Sequence, residues 1–408
     1  MLARRAHHRP RRTGPPVTWI EDPAFVADAP FGPQTLPYGV LGDDGIAVRV
    51  GDQALPLRPI ADHFGALAPL VSAGDLNPLL AAGRPAWSEL RARVLELVTA
   101  ASAPRGAVLA ALGGEVLPFQ VADYVDFYSS RHHAENVGRI FRPDGEPLLP
   151  NWTHIPIGYH GRAGTVVVSG TPVVRPHGQR KTPEGPVFGP SQRLDIEAEV
   201  GFVCGGPVAS RLTPSRAVDH VFGVALVNDW SARDVQAWEY QPLGPFLGKS
   251  FATSISAWIT PLEAFAVARV TPPPLGNDVL PYLVEERPWG LDVRLEVEWN
   301  GTLVSKPPFR EMSWTFAQQL AHLSANGATV RPGDLIASGT VSGPSRDERG
   351  SFLELSWGGK EQVDVDGGRT FLEDGDTVRI TATAPGEHGS LVGLAEVVGT
   401  IAPADTER

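Results

Sequence analysis

The stretch LDVRLEVEWNG, residues 291–301, limits what this chain can fold into more than any other. Leu291, Val293, Leu295, Val297 and Trp299 alternate with Asp292, Arg294, Glu296 and Glu298, a period of two that fits a strand and not a helix. Asn300-Gly301 ends the run with the pair that tight hairpin turns prefer. The segment LDIEAEVGFV (194–203) reads the same way, with Ile196, Ala198, Val200 and Phe202 on one face and Glu197 and Glu199 on the other. HVFGVALVN (220–228) has the apolar continuity of a buried strand. Helices interrupt the strands. WSELRARVLELV (87–98) places Trp87, Leu90, Val94 and Leu97 on one helical face, and MSWTFAQQLAHLSANG (312–327) ends on the capping pair Asn326-Gly327. The 39 prolines and 44 glycines suit many turns between short strands, so the expected class is α+β, mainly β.

At 408 residues the chain has room for two or more domains. Short runs such as IAVRV (46–50), followed by Gly51-Asp52, look like small-barrel strands, and the texture changes near Phe119, after Gly113-Gly114. Residues 17–118 are therefore read as one domain and 119–408 as a second. Residues 1–16, with the basic run MLARRAHHRPRR, are expected to be a disordered extension, because no apolar run follows to make an export signal. A formal charge of -11 argues against nucleic acid as a partner. The single cysteine, Cys204, excludes an internal disulfide and reads as a buried thiol. No stretch approaches the ~20 apolar residues that span a membrane, so no membrane partner and a cytoplasmic location are expected.

Several stretches carry chemistry. GPFLGKSF (244–251) resembles a phosphate-binding loop, but only three residues separate Gly244 from Gly248 and one of them is Pro245, where four are needed to wrap a phosphate. Glu197 and Glu199 repel each other unless a cation, an arginine or a proton lies between them; taken alone they read as a solvated face. Asp229 follows a buried strand and alone reads as the cap of a helix beginning near Ser231. In SARDVQAWEY, Arg233, Gln236 and Tyr240 share one helical face. DFYSSRHHAENVGRIFR (126–142) offers Asp126, Tyr128, His132, His133, Arg139 and Arg142 within about five helical turns, and only one of the two adjacent histidines can face a site. Asp126, Glu197, Glu199 and Asp229 are hard oxygen donors that favour calcium, magnesium or manganese over zinc or copper. In SFLELSW (351–357), alternation puts Phe352, Glu354 and Ser356 on one strand face, where Glu354 needs a partner such as a histidine. No G-x-S-x-G elbow is present, since SGTVSG (338–343) misses the spacing, and no GxGxxG follows a strand.

Taken together, DFYSSRHHAENVGRIFR, LLPNWTHIPIGYHGRAGTVVVSGTPV, RLDIEAEVGFV, FGVALVNDWSARDVQAWEYQPLGPFLGKSFATSIS, RPGDLIASGTVSG and LELSW closely resemble the fumarylacetoacetase family, and FGPQTLPYGV (31–40) resembles its N-terminal domain. The resemblance runs from about residue 17 to the C-terminus. It implies an SH3-like N-terminal barrel, a mixed β-sandwich roll as catalytic domain, and a homodimer. It also implies hydrolysis of a carbon–carbon bond in a β-diketo acid, 4-fumarylacetoacetate, to fumarate and acetoacetate at the end of tyrosine and phenylalanine breakdown. Carried onto this chain, it assigns metal contacts to Asp126, Glu197, Glu199, Asp229, Lys249 and Thr253, with calcium or magnesium bound and manganese admitted by the same donors. It makes His133 the base, oriented by Glu354, with Arg233, Gln236 and Lys249 stabilising the departing carbanion. Tyr128, Arg142, Tyr159, Tyr240 and Thr340 become substrate contacts. The alternative is a relative that uses the same scaffold on an acylpyruvate or on oxaloacetate.

Overall fold

The computed structural model describes residues 18–406; the basic extension expected at residues 1–16 lies outside them. At its centre is a mixed eight-stranded sheet that curls into a half-barrel. Its strands run in the order Gly158–His160, Asp123–Phe127, Asp334–Ala337, Ala198–Cys204, Val221–Asp229, Thr253–Ile255 and Val166–Val168, with Thr260–Pro261 also paired to Val221–Asp229. Asp123–Phe127 runs parallel to Asp334–Ala337, and Val166–Val168 parallel to Thr253–Ile255. Among the described residues no helix is long and apolar enough to cross a membrane.

The two faces of this sheet bury different neighbours, and the period-two pattern decides which. Ala198, Val200, Phe202 and Cys204 share a core with Leu295, Val297, Trp299 and Ile380. These belong to a five-stranded sheet of Thr302–Ser305, Arg294–Trp299, Thr377–Pro385, Leu391–Ala402 and Val173–Val174. Val203, Ala225, Val227 and Leu335, pointing the other way, pack with Val48, Leu55, Phe64 and Leu90 from the N-terminal part of the chain. That part contains a small antiparallel sheet of Tyr38–Leu41, Gly45–Val50, Gln53–Pro56 and Ala110–Ala111 and the helix Arg84–Val98. A β-bridge from Tyr38 to Ile259 ties it to the larger unit.

The alternating run at 291–301 is split: Gly290–Leu291 pairs with Arg269–Val270, and Arg294–Trp299 forms the expected hairpin with Thr302–Ser305. Trp299 pairs with Thr302 across a turn in which Asn300 and Gly301 both have positive φ, +49° and +77°, as the favoured two-residue hairpin turn requires. The helix after Met312 starts at Phe316 behind a capping box of Thr315 and Gln318.

Five expectations are corrected. On the helix Arg84–Val98 the innermost residues are Trp87, Leu90, Val94 and Val98, with Leu97 only partly covered. Residues 126–142 are not one helix: Asp126 and Phe127 are the last two residues of the strand Asp123–Phe127, and the helix runs Arg131–Phe141 because the Ser130 hydroxyl caps it by accepting the His133 N–H. No helix begins at Ser231, since Ser231–Ala232 pairs with Leu194–Asp195 and the helix is Arg233–Glu239. That pairing also breaks the strand expected over 194–203 at Ile196 and Glu197, before Ala198–Cys204 joins the main sheet. Finally, Phe352–Leu355 is a single helical turn and not a strand. Ser351 caps it by accepting the Glu354 N–H, and no period survives in a run this short.

That turn rests on the five-stranded sheet. The Phe352 ring stacks on Trp299 with centroids 4.3 Å apart and 14° between planes. Trp299→Ala is therefore expected to cost about 3–5 kcal/mol, read as a lowered urea midpoint with an unchanged slope.

Candidate active site

Ends of separate strands bring four acids to one place. Asp126 lies near the C-terminal end of its strand, Asp229 ends Val221–Asp229, Glu199 is the second residue of Ala198–Cys204, and Glu197 sits in the break before it. One oxygen from each lies within 4.8 Å of the others, and all four residues are buried. Among the described residues Asp126 Oδ1 and Glu199 Oε1 have no hydrogen-bond partner. Burial pushes the Asp126 and Glu199 carboxyls well above the ordinary range, and repulsion from the other acids adds to it. Burial also raises Asp229, against the pull of Lys249.

Two cations reach the cluster. Lys249 Nζ donates to Glu197 Oε2 at 2.6 Å and to Asp229 Oδ2 at 2.7 Å. Arg233 Nη1 lies 2.7 Å from Glu197 Oε1, while its Nε donates to Asp195 Oδ2 at 2.7 Å. At Glu197 burial is outweighed by Lys249, Arg233 and His133, and the carboxyl is held well below its usual range. Burial pushes Lys249 down, but Asp229 and Glu197 more than compensate, so the ammonium stays protonated. An ammonium has no lone pair to give an ion, so Lys249 Nζ acts at this site as a charge. Thr253 Oγ1 donates to Asp229 Oδ1 at 3.0 Å.

Four carboxylates against one ammonium and a guanidinium shared with Asp195 leave an excess of buried negative charge, which needs protons or a cation. The unpartnered oxygens of Asp126 and Glu199 and the all-oxygen donor set fit a hard divalent ion.

Beside the cluster stands a buried pair. His133 Nδ1 donates to Glu354 Oε2 at 2.7 Å, and the two residues are 3% and 0% exposed. The same carboxylate accepts Asn136 Nδ2 at 2.9 Å, Ser342 Oγ at 3.0 Å and Ser351 Oγ at 2.8 Å. Burial would raise Glu354, but His133 and these donors outweigh it and keep the carboxyl below its usual range. With Nδ1 held as a donor, Nε2 is the basic nitrogen, and no hydrogen bond among the described residues engages it. His132 faces away: its side chain is 34% exposed and lies 3.7 Å from Glu311. His132→Ala is expected to leave kcat within about twofold of the unsubstituted enzyme, a contrast that steady-state rates check directly.

Of the other expected residues, Tyr159 and Tyr128 touch the cage and the histidine directly. Tyr159 O–H donates to Asp229 Oδ2 at 3.3 Å, Tyr128 meets the His133 ring edge-on at 5.3 Å, and Thr340 Oγ1 is buried without a partner among the described residues. Gln236 Oε1 accepts from Arg233 Nη1 at 3.0 Å. Tyr240 stacks on Phe141, next to Arg142, whose Nη2 donates to the Pro147 carbonyl. A cleft of about 170 Å³ opens on Lys249 and Tyr159 between His160, Arg162 and Phe246. A larger one of about 770 Å³ near Arg91 and His388 contains none of these acids, so chemistry and not volume marks the site. Asp195, Asn136, Ser342 and Ser351 are additions that the sequence reading lacks. Asn136 stands three residues after His133 on the same helix, and Ser351 three before Glu354 in an S-x-x-E capping pattern.

A cage of carboxylates at the strand ends of a curled sheet, flanked by a histidine–glutamate pair and a lysine, defines a metal-dependent enzyme of the fumarylacetoacetate hydrolase fold. That fold is shared with the fumarylacetoacetate hydrolase of the psychrophile Exiguobacterium antarcticum, with a TM-score of 0.55 at 17% identity over 90% of this chain and 99% of the other. Residues 123–398 match the family described as fumarylacetoacetate (FAA) hydrolase C-terminal, and 34–113 match fumarylacetoacetase N-terminal. The chain is 43% identical to the fumarylacetoacetase of Rattus norvegicus, over 92% of its own length and 97% of the relative's, and 44% identical to that of Caenorhabditis elegans over the same shares. It belongs to the fumarylacetoacetase family.

Proposed function

We infer that the chain hydrolyses the carbon–carbon bond of 4-fumarylacetoacetate to give fumarate and acetoacetate, as a hydrolase acting on carbon–carbon bonds in ketonic substances. The observation that carries this reading is the His133–Glu354 pair, 2.7 Å apart, beside a buried cage of four carboxylates. Asp126, Glu197, Glu199 and Asp229 would hold calcium or magnesium, and such an ion supplies Lewis-acid polarisation and a template for a chelating diketone.

His133 Nε2 takes a proton from water while Glu354 stabilises the imidazolium. The water oxygen bonds to the carbonyl carbon on the fumaryl side, the carbon–carbon bond breaks, and its electron pair passes to the acetoacetate fragment as an enolate. Lys249, Arg233 and Gln236 meet that developing charge, an electrostatic role of the oxyanion-hole type. The proton on His133 then returns to the carbanion carbon, so one water is consumed and both products leave as acids. Tyr128, Arg142, Tyr159, Tyr240 and Thr340 contact the substrate, and Thr253 helps bind a second ion. Residues 17–118 form an SH3-like domain and 119–408 the catalytic roll of a cytoplasmic homodimer in tyrosine and phenylalanine breakdown.

The test follows loss of diketone absorbance when the protein meets fumarylacetoacetate, before chelation, after it, and after calcium or magnesium is returned. Metal-dependent loss with fumarate and acetoacetate as products is expected. No loss with either ion would end this reading and direct the same assay to acylpyruvates and oxaloacetate.

A further inference from the structure

We propose that Asp195 is a positioning residue that couples the carbanion-stabilising arm to the base: one buried carboxylate sets both where Arg233 points and how Glu354 is presented to His133. The inference rests on the hydrolase reading above.

Asp195 is 0% exposed, and both its oxygens are fully engaged. Oδ1 accepts the N–H of Ile196 at 2.7 Å and of Phe352 at 2.7 Å; Oδ2 accepts the N–H of Leu353 at 3.0 Å and Arg233 Nε at 2.7 Å. These donors come from three places. Ile196 begins the break that carries Glu197 into the cage, Arg233 opens the helix Arg233–Glu239, and Phe352 and Leu353 open the turn that bears Glu354.

The first N–H groups of a helical turn have no partner within it. Here Asp195 takes those of Phe352 and Leu353, and Ser351 takes that of Glu354. The turn is thereby pinned in rotation and in height, and Glu354 is its third residue. Arg233 is held on one side by Asp195 and on the other by Glu197, so its guanidinium has little freedom to swing. A displacement of about 1 Å in such groups can cost on the order of 100-fold in rate. Salt bridging and capping alone would also explain why Asp195 is buried, but that simpler role predicts a loss of stability without a specific loss of turnover.

Asp195→Asn separates the two. The amide oxygen can still serve two of the backbone donors, but its NH₂ then faces further donors on the Leu353 and Arg233 side. The expected result is a fall in kcat of about 10- to 100-fold with KM changed less than about threefold and with the same half-saturating ion concentration in thermal melts. In double variants, Asp195→Asn should add little to the kcat loss of Arg233→Gln and little to that of Glu354→Gln, because the three act as a unit. If Asp195→Asn does not accumulate as folded protein, Asp195→Glu keeps the charge while moving it by one methylene, and the same split between kcat and KM is expected. A folded variant with kcat within twofold of the unsubstituted enzyme, or losses that multiply in both double variants, would overturn the proposal. Absence of turnover in the unsubstituted protein would overturn the hydrolase reading and this inference with it.

Discussion

Glu354→Gln lowers kcat for fumarylacetoacetate by about 100- to 10,000-fold while ion binding is retained. Four donors converge on this carboxylate: His133 Nδ1, Ser342 Oγ and Ser351 Oγ on Oε2, and Asn136 Nδ2 on Oε1. A glutamine can place its oxygen toward His133 only by turning its NH₂ against Asn136. That orientation survives if the Asn136 amide flips, but the negative charge that stabilises the imidazolium is then gone. In the opposite orientation the NH₂ faces His133 Nδ1, which must become an acceptor; the proton moves to Nε2 and the base is lost. Either way turnover falls, and the hydroxyls of Ser342 and Ser351, free to rotate, preserve much of the packing. Steady-state rates measured beside thermal melts check this, with Asn136→Asp as a companion that shifts the balance of donors without touching His133. A Glu354→Gln enzyme within threefold of the original kcat would remove the pair from the chemistry.

How much of this could be read from sequence depends on whether a residue's role is local. Burial on one or both faces writes itself into a strand as period two or as continuous apolarity. Thus Val221–Asp229 and the alternating strand ending in Trp299 are legible, and so is the turn at Asn300-Gly301. Cage residues are a different matter. Glu197 and Glu199 in isolation read as a wet face and Asp229 as a cap, since only the meeting of separate strands makes them one cluster. Their assignment depended on long ordered motifs and not on spacing.

Glu354 shows the limit most clearly. SFLELSW alternates by accident, whereas Ser351 and Glu354 form the S-x-x-E pattern that starts a helix, and the structure follows the cap and not the alternation. Residues 126–142 fail for a similar reason, because Ser130 starts a helix that Asp126 and Tyr128 precede. Asp195 was beyond reach. Its partners Phe352 and Leu353 are 157 and 158 residues away in sequence, and nothing in its neighbours announces a meeting at such a distance.

Removing the ion from the cage lowers the melting temperature by roughly 5 °C, and adding calcium or magnesium restores it. An ion present at about 100 times its Kd stabilises the folded state by about 2.7 kcal/mol, and the four acids have little else to neutralise them. Without it, among the described residues, Lys249 reaches only Glu197 and Asp229, while Asp126 Oδ1 and Glu199 Oε1 are left without partners. Acidity should change the size of the effect in a definite direction. Burial raises Asp126, Glu199 and Asp229 in the folded state, so the stripped protein binds protons there more readily than its unfolded chain does. Its stability therefore gains from these groups as pH falls through their raised values toward the ordinary carboxylate range. Protons also compete with the ion for the same oxygens, and the gap between stripped and loaded protein narrows. Asp126→Asn tests the assignment at one ligand. The half-saturating ion concentration in melts should rise at least about tenfold, while the stripped variant melts no lower than the stripped original because one uncompensated buried charge has gone. A melting temperature indifferent both to chelator and to added ion would show that these four carboxylates are held by protons and Lys249 alone.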